Sequence, residues 1–408
     1  MRIPRITTNT PGTIRVHSRN SHGLLLLLLL IAGAPLAAQP ARQTQADDYT
    51  RYELLAPGSG KFRILYEVTA TTAGATHFFN AIRRGSVASD ERVVDLMTGR
   101  PLEFEVVNGR VARDGGMRNA DSTGEYIRVK LARSVPRDGE TRILIDKTYY
   151  DTASYRVIGD TIVFARPLGI KRNAIVLPVG FELIASNYPA QILQEADGRL
   201  KVSFWNSTPA EAPVQIRARR AVAIRAASSA LPNDLRGRLN ERAHQTREIV
   251  YYLQQPETNA FDLYHDYTET RPGVDRYLNV VRAGSTVSRP RAVLLDTGEE
   301  LRWDIQRGDS EVVVFHFPPA KAGETVRLRM FETYTDTARY KLVGDELMWN
   351  RSFGRPANAV VLPLGWVLTN SSIPATVSEL PDGRIRLDYI NARSDEIAVL
   401  ITARRRAR

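Results

Sequence analysis

The sequence predicts a mostly all-β protein: two tandem, homologous antiparallel β-sandwich domains with one inter-domain α-helix. Three observations predict it. One unit is written twice, short β-branched and aromatic runs recur between turn dipeptides, and strand–helix alternation is missing. The repeat is plainest late in each unit. Thr148 to Arg220 aligns with Thr333 to Arg405 at an offset of 185 without a gap, with 30 identities over 73 positions. Earlier the offset is 199, with Tyr52, Leu54, Pro57, Phe62 and Asn80 matching Tyr251, Leu253, Pro256, Phe261 and Asn279. The fall of 14 in the offset marks a net insertion in the first copy, over residues 108–124. Two copies of this length make two domains rather than a solenoid of short repeats.

The elements follow in chain order. Residues 1–38 read as a secretory signal peptide: Arg2, Arg5, Arg15 and Arg19 without an acid, then Leu24 to Leu30, then small residues ending at Ala38. The apolar run is about half of what a bilayer-spanning helix needs. No transmembrane segment is therefore expected after cleavage, and the expected location is periplasmic or secreted. The first domain is expected over 39–226. Lys61–Thr69, Glu125–Leu131, Arg142–Tyr149, Thr161–Ala165 and Ala174–Leu177 read as its strands. The second domain, over 227–408, repeats them at Phe261–Thr268, Glu311–Phe317, Val326–Tyr334, Glu346–Asn350 and Ala359–Leu362. Gly159-Asp160 and Gly344-Asp345 read as two-residue hairpin turns, with Asp197-Gly198 and Asp382-Gly383 as the Asp-Gly form of the same device. The stretch Ala221–Ala230 reads as the domain boundary. After it, Leu235, Leu239, Ala243, Thr246, Val250 and Leu253 recur at helical spacing up to Pro256 and predict the inter-domain helix.

Composition removes several chemistries. The 408 residues include no cysteine, which excludes disulfide scaffolds, thiolate metal sites and Cys nucleophiles. Losing the four leader arginines takes the formal net charge from +11 to +7. What remains is dispersed apart from the tail Arg404, Arg405, Arg406 and Arg408, so no nucleic-acid partner is expected. No cofactor is expected either. The nucleophile elbow Gly-x-Ser-x-Gly, the phosphate-cradling loop and the helical His-Glu-x-x-His pair are all missing from the sequence.

Six residues stand out as candidate ligand-binding positions. Arg166 and Asn173 recur as Arg351 and Asn358 within a long motif shared by both copies. Each Arg could fork onto a carboxylate ligand, or satisfy buried carbonyls at a strand end. His265 and Asp266 are adjacent but fall on a predicted strand, where neighbours face opposite ways. Asp151 and Asp336 suit turn capping better than calcium. The four tryptophans pair with large apolar residues of the other copy (Trp205 with Ile390, Trp303 with Phe104) and read as core. The insertion is the natural seat of any function unique to one domain. The expectation is a non-enzymatic binding or structural protein whose partner is an envelope or extracellular protein or a glycan. The alternative is a hydrolase or carbohydrate-active protein of the envelope that uses carboxylates and His265.

Overall fold

The computed structural model describes residues 41–221, 232–245, 247–308 and 310–407. The leader, and nearly all of the expected boundary stretch Ala221–Ala230, lie outside the described residues. Within them both copies fold as β-sandwiches built to one plan. In the first, a seven-stranded sheet runs Gln191–Gln194, Leu200–Trp205, Arg172–Val176, Gln45–Leu54, Lys61–Ala70, Thr141–Tyr150, Val87–Asp95. The second copy runs Thr376–Glu379, Ile385–Ile390, Ala357–Val361, Glu248–Leu253, Ala260–Glu269, Val326–Thr335, Thr286–Leu294, with the short strand Glu299–Glu300 added at the end. A four-stranded and a three-stranded sheet cover one face of each large sheet.

Alternation drives this layering. Phe62, Ile64, Tyr66 and Val68 point inward from one strand and are buried, while Lys61, Arg63 and Glu67 between them are not. Phe261 and Leu263 do the same in the second copy. Each copy closes its own core, and the two main clusters share no residue. Aromatic rings meet edge-on at the centre: Phe62 on Phe164 at 5.4 Å, Phe261 on Trp349 at 4.7 Å.

Four expectations are corrected. The inter-domain helix is only Asn233–Gly237, and the residues placed on its later turns, Val250 and Leu253, lie on strand Glu248–Leu253. Thr246 lies outside the described residues. The sandwiches are not wholly antiparallel, because Gln45–Leu54 runs parallel to Arg172–Val176, and Glu248–Leu253 to Ala357–Val361. The Gly159-Asp160 hairpin has two residues as expected, with Gly159 at φ +62°. The Asp197-Gly198 hairpin has one more, because Glu195 N–H bonds to Arg199 C=O across a loop of three, with Gly198 at φ +84°. Of the tryptophans, Trp349 and Trp366 are core, but Trp303 is 40% exposed and Trp205 only half-buried.

The copies dock through repeat-equivalent residues. Arg142 and Arg327 correspond at the 185 offset, as do Glu140 and Thr325. Arg142 Nη2 donates to Thr325 Oγ1 at 2.9 Å, and Arg327 Nε lies 3.1 Å from Glu140 Oε1. Each position thus meets its partner's counterpart, which is the contact rule of a two-fold interface. The main chain follows it to within one residue. Glu140 N–H donates to Leu295 C=O at 2.7 Å, while Thr325 N–H donates to the C=O of Met97, one past the counterpart of Leu295. Thr325 Oγ1 donates to the C=O of Leu96, that counterpart. Around these contacts lies a buried ionic cluster that crosses between copies. Arg327 pairs with Asp47, Glu140 and Asp266, and Asp296 receives Arg133 and Arg142.

Candidate functional site

The six sequence candidates do not converge. Arg166 and Arg351 are buried, each sitting over core aromatic rings, Phe62 and Tyr149 in one copy and Phe261 and Tyr251 in the other. Arg166 Nη1 donates to Asp151 Oδ2 at 2.9 Å, and Arg351 Nη1 to Asp336 Oδ2 at 3.3 Å. The strand-end group each Arg satisfies is therefore a carboxylate rather than a carbonyl. Asp151 also accepts from the Ser154 main chain and hydroxyl, and Asp336 from the Arg339 main chain and Ser285. Burial would raise both carboxyls, but these donors outweigh it and hold them below the usual range. Asn173 Nδ2 bonds to Ile170 C=O and Asn358 Nδ2 to Arg355 C=O, shaping the turn before each Pro-x-Gly.

His265 and Asp266 are 2% and 3% exposed and face opposite sides of their strand. His265 Nδ1 meets Arg355 Nη2, and its Nε2 lies 3.5 Å from Glu332. Burial, then Arg355, lowers its pKa. Asp266 belongs to the inter-copy cluster, where it accepts from Arg329 Nε and Nη2, each at 2.8 Å. Among the described residues no group of three or more His, Asp or Glu is placed to hold a metal ion. No helix among them is long and apolar enough to cross a membrane.

What the geometry does form is a cleft of about 620 Å³ between the copies. Twelve of its fourteen lining residues are six repeat-equivalent pairs: Pro189 and Pro374, Ala190 and Ala375, Gln191 and Thr376, Ser203 and Asp388, Trp205 and Ile390, Ser207 and Ala392. The other two, Arg242 and Ala243, come from the connection between the domains. That connection works as a clasp. Glu241 accepts from Tyr49 Oη at 2.8 Å and Ser203 Oγ at 2.7 Å in the first copy, and Lys201 Nζ lies 2.8 Å away. Arg242 N–H donates to Gln191 Oε1, and its guanidinium donates to Gly354 C=O in the second copy. Across the cleft Thr376 Oγ1 donates to Ser207 C=O at 2.7 Å.

Two side chains of the cleft wall carry buried donors without an acceptor among the described residues, Trp205 Nε1 and Arg242 Nε. An orphan of this kind costs about 1–3 kcal/mol. Sequence reasoning missed the cleft because each wall residue is unremarkable alone. Its signal was the 185 offset, which pairs the lining residues one to one.

A second cleft, of about 540 Å³, involves the insertion. Helix Gly109–Asp114 is capped by Asn108 Oδ1, which accepts from Arg110 and Val111 N–H. Ala112, Ala120 and Met117 pack on Phe79 and Tyr126 in a small core of their own. The insertion is thus an ordered element, and Val111, Asp114 and Gly115 line this cleft opposite His77 and Thr72.

These features define a class: a duplicated β-sandwich protein whose two copies enclose a cleft. No family model matches the chain, and no curated protein matches it. Among solved structures it is similar to an aminopeptidase N family protein from Idiomarina loihiensis, at 10% identity over 38% of this chain and 29% of that one, TM-score 0.26. An M1 zinc metallopeptidase from Deinococcus radiodurans matches at 8% identity over 46% of this chain and 51% of that one, TM-score 0.28. The collagen adhesin from S. aureus matches at 7% identity over 76% of this chain and 87% of that one, TM-score 0.19. The chain thus spans well under two thirds of the first two proteins, 29% and 51% of their length. Similarity this low carries no argument about activity, and the fold rests on the sheets and cores described above.

Proposed function

We propose that this protein is an exported, non-enzymatic binding module of the cell envelope or extracellular space, and that its ligand lies in the cleft between the copies. The observation that carries this reading is the matched lining. Duplication itself creates the cleft, so the two copies acquire together a surface that neither has alone. Pockets at domain interfaces are common ligand sites. The sequence candidates Arg166, Arg351, His265 and Asp266 already have their side chains engaged inside the protein.

The test is a pull-down from the periplasmic or culture fraction with the purified chain and two cleft-filling variants, Ser207→Trp and Ala392→Trp. Both positions are exposed, so the substitutions fill the cleft from its mouth and leave the cores intact. The expected result is one stoichiometric partner held by the wild type and weakened about tenfold or more by either variant. Undiminished capture by both variants would remove the cleft from the reading. Turnover of a substrate panel by the clean chain would overturn the non-enzymatic assignment.

A further inference from the structure

We propose that the cleft receives an extended polypeptide segment carrying apolar and basic side chains, which adds a strand to the free edge Thr376–Glu379 of the second copy. The proposal rests on the cleft reading above and names the ligand class.

The argument starts from hydrogen-bond phase. Among the described residues Thr376–Glu379 is the last strand of its sheet and pairs only with Ile385–Ile390. In an antiparallel pair, residues alternate between those that exchange both main-chain bonds with their opposite number and those whose groups point away. The phase is fixed by Leu380 N–H, which donates to Arg384 C=O, so these two form a bonded pair. Stepping back along the register, Glu379 opposite Ile385 is non-bonded, Ser378 opposite Arg386 bonded, and Val377 opposite Leu387 non-bonded. The partner strand agrees, because Ile385 C=O turns away to accept from Leu362 N–H on its other side. Val377 and Glu379 therefore present their N–H and C=O groups outward at the open edge. That pattern of alternating donors and acceptors is met by another main chain.

Three further features fix the occupant. Pro374, Ala375 and Thr376 line the cleft and run straight into this strand, so the edge continues the cleft wall. Val377 is 51% exposed, which offers an apolar contact to a neighbouring strand. Glu379 is exposed and has no ion-pair partner among the described residues, which calls for a basic side chain opposite it. The equivalent edge of the first copy, Gln191–Gln194, has neutral Gln194 there. Its start is already closed, since the Gln191 side chain donates to Asn240 C=O and accepts from Arg242 N–H. Thr376, the equivalent of Gln191, is likewise engaged through Oγ1 to Ser207 C=O, so the two edges are alike in backbone and differ in charge, and that difference selects the second copy.

The experiment uses the purified chain and two fluorescent probes, an extended Val-Thr-Lys-Thr repeat, which sets Val and Lys two residues apart on one face as Val377 and Glu379 are, and the same repeat with Glu in place of Lys. The Lys probe is expected to bind at least about tenfold more tightly. Glu379→Lys should reverse that order. Val377→Pro removes an outward N–H without breaking a bond of the sheet. It should weaken the Lys probe about tenfold with melting temperature unchanged, and binding should protect the Val377 and Glu379 amides from hydrogen exchange. Equal affinity of Val377→Pro and wild type, or equal affinity for the two probes, overturns the proposal. So does a dimer of the chain that Val377→Pro dissolves, since the edge would then serve a second copy. Binding of a neutral glycan probe that Val377→Pro leaves untouched overturns it as well. If Ala392→Trp abolishes capture of a natural partner while Val377→Pro and Glu379→Lys do not, the cleft reading stands and the strand-addition proposal falls. If the edge variants matter and Ala392→Trp does not, the edge stands without the cleft.

Discussion

One buried position shows how a single scaffold accommodates opposite charges. Lys147 and Glu332 correspond in the two copies, and both are 3% exposed. Each meets the corresponding asparagine. Lys147 Nζ donates to Asn80 Oδ1 at 2.6 Å, whereas Glu332 accepts from Asn279 Nδ2 at 2.8 Å. A carboxamide carries an acceptor at one end and donors at the other, so a turn of the amide serves either partner. Among the described residues no carboxylate contacts Lys147, and burial, then Arg166, pushes its amine down to about 7. The sign follows. The unfolded lysine keeps its proton up to the ordinary value of 10.5, so stability is lowest below pH 7 and rises between about 7 and 10.5. Lys147→Met should therefore be more stable than wild type at pH 6 by about 1–3 kcal/mol, with the gap closing towards pH 10. Chemical denaturation across that range checks it, and a gap independent of pH would show that the amine is not the cause.

At the scale of elements, the strands were legible and the connection was not. Alternating runs such as Lys61–Ala70 declare their period, and turn glycines declare their φ. The segment before Pro256 carried two conflicting signals. Its apolar residues recur at helical spacing, yet Tyr251 and Leu253 match Tyr52 and Leu54 of a strand. The repeat decides, because Glu248–Leu253 gains ladder partners on both sides, Ala260–Glu269 and Ala357–Val361, which an isolated helix would lack. The parallel pairing was invisible for a related reason: the paired strands lie over a hundred residues apart and no turn joins them. Of the candidate site, the individual residues Arg166 and Arg351 were legible as a duplicated motif. The cleft was not, since it depends on how two copies face each other. The insertion gives a test at this scale. A methyl group on Gly109 would fall 1.7 Å from the Asp121 C=O, and one on Gly115 would fall 2.3 Å from the Phe79 ring. Gly109→Ala should unseat the helix at a cost of about 1–3 kcal/mol. The measurable signs are faster proteolysis within 108–124 and a blue-shifted loss of Tyr126 packing, with the second copy unaffected.

At the scale of the whole molecule, two self-sufficient cores are joined by an interface that is largely ionic. Glu140 lies at its centre, facing Arg327 at 3.1 Å and Arg142 at 3.9 Å, with Asp47 and Asp266 sharing the same arginine. Burial lifts the Glu140 carboxyl to about 7 despite the pull of Arg327, whereas Asp47, under Arg327 and Arg172 together, overcomes its burial and stays at about 2. Between the ordinary carboxylate value of 4.5 and about 7, folded Glu140 holds a proton that the unfolded chain has released. Stability from this group is therefore complete below about pH 4.5 and is lost as pH rises through 7. Glu140→Gln should match wild type near pH 4.5 and exceed it by about 2–3 kcal/mol at pH 8. Arg327→Met acts the other way. It leaves Asp47 and Glu140 of the first copy, and Asp266 of the second, buried without their shared cation, a loss of about 3–5 kcal/mol that falls mostly at the interface. Because the two main cores share no residue, that loss should uncouple them rather than unfold one. Calorimetry is expected to show one transition for wild type and for Glu140→Gln, and two for Arg327→Met. A single lowered transition in Arg327→Met would mean that the copies fold as one unit through contacts other than this cluster.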